Sequence, residues 1–254
     1  MTTTVSTDCA ELNDARLEWT GDQLLATSGA FSRCWRLVPS GVLTCALSNG
    51  PTHWVDEVGK APGCDWSVSQ LITAASEAEL MDMKIEAVEA PPLTSPHVRA
   101  VLDFRYAETE VVARYEVQVF PGAPGVRTQL SLRAMRPMGK DEVPSWLLQS
   151  YAESLPLDPS ALERVAIGYY NDPQHRNHDD TPILRREARS GALTEQRREV
   201  YDWANILCLE CGDDGLALVK ESHKCVNQSG IDTGAFVLRP DGVRVTGLGL
   251  RGQG

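Results

Sequence analysis

The sequence has no long hydrophobic run and is short of positive charge. No stretch approaches the roughly 18 to 20 consecutive apolar residues of a membrane-spanning helix, and the start, Met1–Thr4, lacks the basic and apolar regions of a secretion signal. Only 24 Lys and Arg stand against 35 Asp and Glu, which gives a net charge of −11. Nucleic acid phosphates and anionic membrane surfaces repel such a chain. We therefore predict a cytoplasmic protein that binds neither nucleic acid nor membranes.

The cysteines do not form the pattern of a disulfide framework. They are odd in number and scattered over the 254 residues: Cys9, Cys34, Cys45, Cys64, Cys208, Cys211 and Cys225. Without a secretion signal, reduced thiols are expected. Cys208 and Cys211 have zinc-knuckle spacing, but a tetrahedral site needs two more ligands, and residues three apart on a strand point to opposite faces. The sequence therefore predicts no metal at this pair.

The composition is that of an ordinary globular protein. Apolar residues make up 42% of the chain and charged residues 23%, and 254 residues allow one large domain. We interpret residues 1–254 as a single domain with an insertion of loops and a short helix at about 135–200, where charge and turn residues are dense. In that insertion Ser145 can cap a helix whose apolar residues recur at helical spacing as far as Leu155, and Pro156 ends it.

The clearest pattern in the chain is alternation of apolar and polar residues, which is typical of half-buried antiparallel strands. Four segments show it, namely 81–87, 98–106, 111–119 and 126–134. Short turn-forming connections at 107–110 and 121–125 join them, so this part is predicted to be a meander. The sequence thus predicts an all-β fold.

Further strands are predicted on both sides of this meander. Two of them precede it, at Phe31–Val38 and Val42–Leu47. The segment Trp203–Cys211 is nearly continuous apolar sequence, which predicts a strand covered on both faces. Three more strands are predicted after it, at Gly215–Val219, Ala235–Leu238 and Val243–Thr246.

Two short motifs favour structural interpretations. Gly247–Gly252 has the letters of a dinucleotide-binding loop, but such a loop must open a helix, and only Gln253 and Gly254 follow in this sequence. His223 and Cys225 are spaced like a thiolate–imidazole pair, yet nothing local supplies an oxyanion hole. No cofactor is therefore expected.

The segment 169–180 concentrates side chains that are capable of function. Aromatic rings beside Asn, Asp and Arg are what a sugar pocket uses, for stacking and for binding hydroxyl groups. The candidate substrate-binding residues are Tyr169, Tyr170, Asn171, Asp172, His175, Arg176, His178 and Asp179. A solvated connecting loop explains the same residues, because turn formers are also common in loops. A metal held by the two histidines with Asp179 or Asp180 is the least favoured interpretation.

The order of segments resembles the N-terminal β-supersandwich domain of family 36 (melibiase-type) α-galactosidases. The resemblance is carried by Phe31–Arg36 (FSRCWR), Tyr115–Gly122 (YEVQVFPG) and Gly215–Ser222 (GLALVKES). It implies a galactose mutarotase-like supersandwich that precedes a (β/α)₈ barrel, and the barrel of that family supplies both catalytic carboxylates. We therefore expect a domain of a longer glycoside hydrolase, with carbohydrate and its C-terminal barrel as partners and no catalytic residue of its own.

Two other functions stay open at this point. A free-standing carbohydrate-binding module binds a glycan by itself. A mutarotase-like sugar epimerase needs a histidine and a carboxylate as an acid/base pair in one cleft. Whether this chain alone is an enzyme, which sugar and linkage it meets, and whether it forms a homo-oligomer are not determined by the sequence.

Overall fold

The structure is all-β, as the alternation predicts. It is a computed structural model that describes residues 7–55, 63–68, 70–137, 150–169, 184–188, 199–202, 204–221 and 235–246. Within these ranges the only helical element is the 3-10 turn Pro159–Ala161, and no helix there is long and apolar enough to cross a membrane. Contacts along the chain define two compact units, Met1–Gly139 and Lys140–Gly254. The single-domain interpretation stays a prediction.

The first unit begins with a six-stranded antiparallel meander. Its strands are β1 (Thr7–Leu12), β2 (Ala15–Thr20), β3 (Gln23–Ser28), β4 (Phe31–Val38), β5 (Gly41–Asn49) and β6 (Thr52–Val55). Each strand pairs with the next one along the chain, because the two-residue connections between them allow nothing but hairpins. Asn13 at one such turn has a positive φ of 54°, a conformation that Asn tolerates better than most residues.

The second sheet of this unit is the predicted meander. Its strands are β7 (Glu79–Val88), β8 (His97–Tyr106), β9 (Val111–Val119) and β10 (Val126–Ala134), in the order β10-β9-β8-β7. The predicted alternation is confirmed on β8, where every second residue from Val98 to Tyr106 is buried, and on β9 from Ala113 to Val119. On β7 only Ile85 is buried, and on β10 half-buried residues alternate with exposed ones without any becoming fully buried. The predicted connections at 107–110 and 121–125 are turns.

The two sheets of the first unit pack face to face, with β1 against β7 and β8, β2 against β8 and β9, and β3 against β9. Their facing side chains include Leu17, Leu24 and Leu102, which have no exposed surface. Burial of a side chain of this size stabilises the fold by roughly 1.5–3 kcal/mol. The core of the unit is therefore a sandwich interior that is formed mainly by the inward residues of β2, β3, β8 and β9.

The second unit contains two four-stranded antiparallel sheets. Its strands are β11 (Tyr151–Leu155), β12 (Arg164–Tyr169), β13 (Leu184–Ala188), β14 (Glu199–Asp202), β15 (Ala204–Cys211), β16 (Asp214–Val219), β17 (Ala235–Arg239) and β18 (Gly242–Thr246). The sheet orders are β11-β18-β17-β14 and β13-β12-β15-β16. The strands predicted after residue 203 are all present.

The helix predicted to run as far as Leu155 is wrong over its second half. Residues Tyr151–Leu155 form β11, and Leu155 pairs with Val243 of β18. A segment of five residues is too short for its apolar pattern to distinguish a helix from a strand. Here the pairing with β18, which is distant in sequence, makes it a strand. Residues 145–149 lie outside the described ranges. The predicted insertion at 135–200 also contributes β12, β13 and the start of β14 to the same sheets.

The prediction that the Trp203–Cys211 strand is covered on both faces is also wrong for its described side chains. Leu207 and Leu209 are fully buried, whereas Ile206 is 37% exposed and Cys208 is half-buried. One face of β15 is therefore in the core and the other is accessible. An antiparallel strand of this kind needs only one covered face, even when its outward residues are apolar.

Candidate functional site

The predicted sugar-contacting segment lies almost entirely outside the described residues. Tyr169 is the last residue of β12, and its backbone pairs with Ala204 after an irregularity in the strand register. The other candidates, which are Tyr170, Asn171, Asp172, His175, Arg176, His178 and Asp179, are outside the described ranges. The pair His223/Cys225 and the glycine-rich Gly247–Gly252 are outside them as well. Sugar contact at 169–180 stays a prediction.

The structure places Cys208 and Cys211 on opposite faces of β15, as predicted. The pairing of β15 with β16 is regular from Ile206 to Cys211, so residues three apart point away from each other. Burial is the main cause that raises the pKa of the Cys208 thiol, and the Glu210 carboxylate adds to it. Among the described residues, no group of three or more His, Cys, Asp or Glu side chains is arranged to hold a metal ion.

A buried cluster of polar side chains lies inside the first unit, on β4, β5 and the segment 63–68. Asp65 accepts hydrogen bonds from the Thr44 backbone N–H at 2.9 Å and from the Thr44 hydroxyl at 2.5 Å. Arg33 Nη2 donates to Thr44 Oγ1 at 2.7 Å and to Asp65 Oδ2 at 3.3 Å. Sequence reasoning does not reveal this cluster, because Arg33, Thr44 and Asp65 come from separate segments.

The burial of this charged pair determines what it can do. The side chain of Asp65 has no exposed surface and that of Arg33 is 6% exposed, so both charges have lost most of their hydration. Hydrogen bonds to Thr44 and the Trp35 ring, whose centroid is 4.5 Å from the guanidinium carbon, offset this cost. Because the Asp65 carboxylate has no access to solvent, a substrate cannot reach it. We conclude that the cluster holds segment 63–68 against the sheet.

A cluster of buried aromatic side chains lies next to these polar groups and connects the two sheets of the sandwich. The Trp66 ring packs on Tyr115 with 4.9 Å between centroids and on Phe104 with 5.6 Å. Trp66 Nε1 donates to the Tyr106 hydroxyl at 2.9 Å, and that hydroxyl donates to the Ser40 carbonyl at 2.7 Å. Burial raises the pKa of Tyr106 far above its usual range. The phenol therefore stays a neutral donor and joins the two sheets through hydrogen bonds.

The outer face of β7, β8 and β9 carries carboxylates that are paired with basic side chains. Arg114 forms a two-pronged bond to Asp103, at 2.8 and 2.7 Å, and this bond lowers the pKa of Asp103. Hydrogen bonds from Lys84 and then from Arg99 lower the pKa of Glu86. A general acid in glycoside hydrolysis needs a raised carboxyl pKa. Asp103 and Glu86 are shifted in the opposite direction and remain charged at neutral pH.

The geometry of the described residues is that of a stable β framework. No protein-family model matches the sequence, and no curated protein is significantly similar to it. Fold and buried clusters together define the class of the chain, which is an all-β protein of antiparallel sheets with a sandwich in its first unit.

Proposed function

We propose that this chain is the N-terminal supersandwich domain of an α-galactosidase-like glycoside hydrolase. In this role it supports a catalytic barrel and contributes the segment 169–180 to the edge of the sugar site. The carbohydrate is the ligand of the whole enzyme, and the barrel is the partner of this domain within it.

The observation that carries the proposal is a contact between two of the segments on which the resemblance rests. Phe31–Arg36 lies in β4, and Tyr115–Val119 lies in β9. Trp35 of the first segment meets Tyr115 of the second edge to face, with 6.4 Å between ring centroids. Side chains of both segments therefore lie in the interior of a sandwich, which supports the proposal because a supersandwich domain also has such an interior.

The chemistry of the described carboxyl groups agrees with a supporting role. Retaining hydrolysis uses one carboxylate as nucleophile and a second carboxyl of raised pKa as acid, about 5 Å apart. Asp65 is enclosed in the core, and the basic neighbours of Asp103 and Glu86 lower their pKa values. These three side chains suit structural ion pairs better than proton transfer.

The decisive experiment is to sequence the complete transcript that contains this coding region. We expect the adjoining sequence to encode alternating strands and helices of a (β/α)₈ barrel, with carboxylates at the ends of its strands. A complete transcript without a barrel would contradict the proposal.

Assays on the purified chain separate this role from the two alternatives. We expect no hydrolysis of p-nitrophenyl α-galactoside, no acceleration of galactose anomer exchange in polarimetry, and no binding of galactose or melibiose in calorimetry. Anomer exchange above the buffer rate favours an epimerase, and sugar binding by the chain alone favours a binding module. Hydrolysis by this chain contradicts a purely supporting domain.

The contribution of segment 169–180 to the sugar site is testable in the full-length enzyme. Replacement of Tyr170, His175 or Asp179 by Ala is expected to raise KM more than it lowers kcat, because a peripheral contact binds ground state and transition state alike. A Glu163→Ala variant in the exposed residues before β12 serves as the control. Unchanged kinetics in all three loop variants would show that the segment is only a connection.

A further inference from the structure

We propose that Cys34 and Cys45 form a redox-sensitive pair that closes into a disulfide between β4 and β5 when it meets a low-molecular-weight disulfide such as oxidised glutathione. This inference rests on the geometry of the first sheet and is independent of the proposed glycosidase role. It concerns a modification site that lies away from the segment 169–180.

The strand register brings the two thiols together. Cys34 pairs with Ala46 and Trp35 pairs with Thr44, so Cys45 is an extra residue that has no partner of its own in the ladder. A bulge of this kind re-aims the side chain of the extra residue. The Cys45 thiol donates to the Cys34 backbone carbonyl, with 3.4 Å between sulfur and oxygen. The two cysteines, which are eleven positions apart in sequence, are therefore neighbours in space.

The surroundings of the pair allow small reagents to reach it. Both residues are half-buried on the outward side of the sheet, where the Cys34 sulfur is 3.8 Å from Gln23 Oε1. Burial and then the neighbouring Cys45 raise the pKa of Cys34 to about 12, Asp22 adds to this effect, and Arg36 opposes it. Cys34 is thus a protonated thiol at neutral pH. Only a thiolate attacks a disulfide, so Cys34 is a poor first nucleophile, and we assign the first attack to Cys45.

The reaction runs in two balanced exchanges. The Cys45 thiolate attacks one sulfur of the oxidised reagent, forms a mixed disulfide and releases one reduced thiol. Cys34 then loses its proton to water or buffer and attacks the Cys45 sulfur, which forms the protein disulfide and releases the second reduced thiol. Two protein thiols are oxidised to one disulfide, and the reagent is reduced to two thiols.

The other described cysteines differ from this pair. Cys64 is buried, and burial raises its pKa to about 12. Cys208 and Cys211 point to opposite faces of their strand. Cys9 is exposed on β1. A cysteine without a thiol beside it stops at the mixed disulfide, because nothing resolves it.

The test is a peptide map of the full chain after treatment with oxidised glutathione. Trypsin separates the two cysteines, since Cys34 lies in the peptide Cys34–Arg36 and Cys45 in Leu37–Lys60. We expect these two peptides to appear linked, with a mass lower by two hydrogen atoms than their sum. A reducing agent should separate them again.

Two variants test the order of the steps. Cys34→Ser is expected to accumulate glutathione on Cys45, because the resolving thiol is gone, whereas Cys45→Ser is expected to lose both the link and the modification at Cys34. A Cys208→Ser variant is the matched control and should form the link at the rate of the unaltered chain.

Glutathione on Cys34 and Cys45 of the unaltered chain without a link, or no reaction at either, would overturn the proposal. Far-ultraviolet circular dichroism identifies variants that fail to fold, and the map of the unaltered chain decides in that case.

Discussion

At the scale of single residues, the most consequential feature is a charge in the core. Asp65 has no exposed surface, yet its carboxyl group lies 3.3 Å from the Arg33 guanidinium and accepts hydrogen bonds from Thr44. A buried ion pair adds little stability compared with apolar residues of the same shape, but removal of one partner leaves a charge in a medium that does not solvate it. The stability of the first unit is therefore more sensitive to Asp65 than to any exposed carboxylate.

Asp65→Asn is expected to destabilise the first unit by about 3–5 kcal/mol, because Arg33 then faces a neutral amide in place of a carboxylate. The measurement is the free energy of unfolding from urea titration followed by tryptophan fluorescence. Asp82→Asn makes the same chemical change on the exposed side of β7 and should cost less than about 1 kcal/mol. Equal losses of unfolding free energy in the two variants would mean that the buried cluster does not make Asp65 more important for stability than an exposed carboxylate.

A second prediction concerns Gly41, at the start of β5. Its φ is +140°, and a Cβ at this position would lie 2.5 Å from the Trp66 ring. Gly41→Ala is therefore expected to cost more than about 2 kcal/mol, from backbone strain and from displacement of the indole. Gly50→Ala is the control, since Gly50 also has a positive φ of +59° but no atom within 4 Å of the added carbon. Urea titration of both variants should show the larger loss at Gly41.

At the scale of elements, the pairing of β8 with β9 sets an ion pair directly across the ladder. Asp103 and Arg114 are register partners, and their two-pronged bond is on the outer face, where the Arg114 side chain is 58% exposed. Opposite charges at facing positions stabilise a strand pair by a few tenths of a kcal/mol to about 1 kcal/mol. The pair therefore favours this register over a shifted one without dominating the stability of the sheet.

The pH dependence of this pair has a definite sign. Arg114 lowers the pKa of Asp103 in the folded state, so its contribution is present above the unfolded pKa near about 4 and is lost as the pH falls through the lower folded value. Asp103→Asn is expected to cost up to about 1 kcal/mol at about pH 7 and almost nothing at about pH 2. Urea titrations at both pH values check this. A difference between variant and unaltered chain that grows in acid would contradict the assigned ion pair.

At the scale of the whole molecule, the first unit has two sheets and a buried core of its own. Its ten strands form two sheets, and their shared core includes Trp35, Trp66 and Tyr115 with no more than 1% of each residue exposed. Units with their own core generally fold independently. We therefore expect the unit that ends at Gly139 to be an independently folding part of the chain.

A fragment of residues 1–139 is accordingly expected to unfold cooperatively. Its tryptophan fluorescence should change in a single urea transition, with the blue-shifted emission of buried indoles before it and red-shifted emission after it. The Gly41→Ala substitution should lower the midpoint in this fragment as it does in the full chain. A gradual change without a transition would show that the first unit depends on the remaining residues.

The sequence by itself determined the all-β class and most of the strands. Alternation with a period of two is a local property, and the segments 81–87, 98–106, 111–119 and 126–134 display it over seven or nine residues each, so the meander could be predicted without knowledge of any partner. The opposite faces of Cys208 and Cys211 follow from the same local geometry. The sequence analysis did not predict β1, β2 and β3, although Ala15, Leu17 and Trp19 alternate in the same way. It also missed β6 and the strands β11 to β14, which have four to six residues each.

Only the tertiary structure decided which distant segments meet. Residues 151–155 became a strand because β18 pairs with them, and the outward face of β15 stayed accessible because one covered face is enough. The Arg33–Asp65 pair depends on the position of segment 63–68 beside β5, and the Cys34–Cys45 neighbours depend on strand register and on one bulge. Such contacts arise from pairing between segments, and a local pattern carries no information about which residue of another strand will lie opposite.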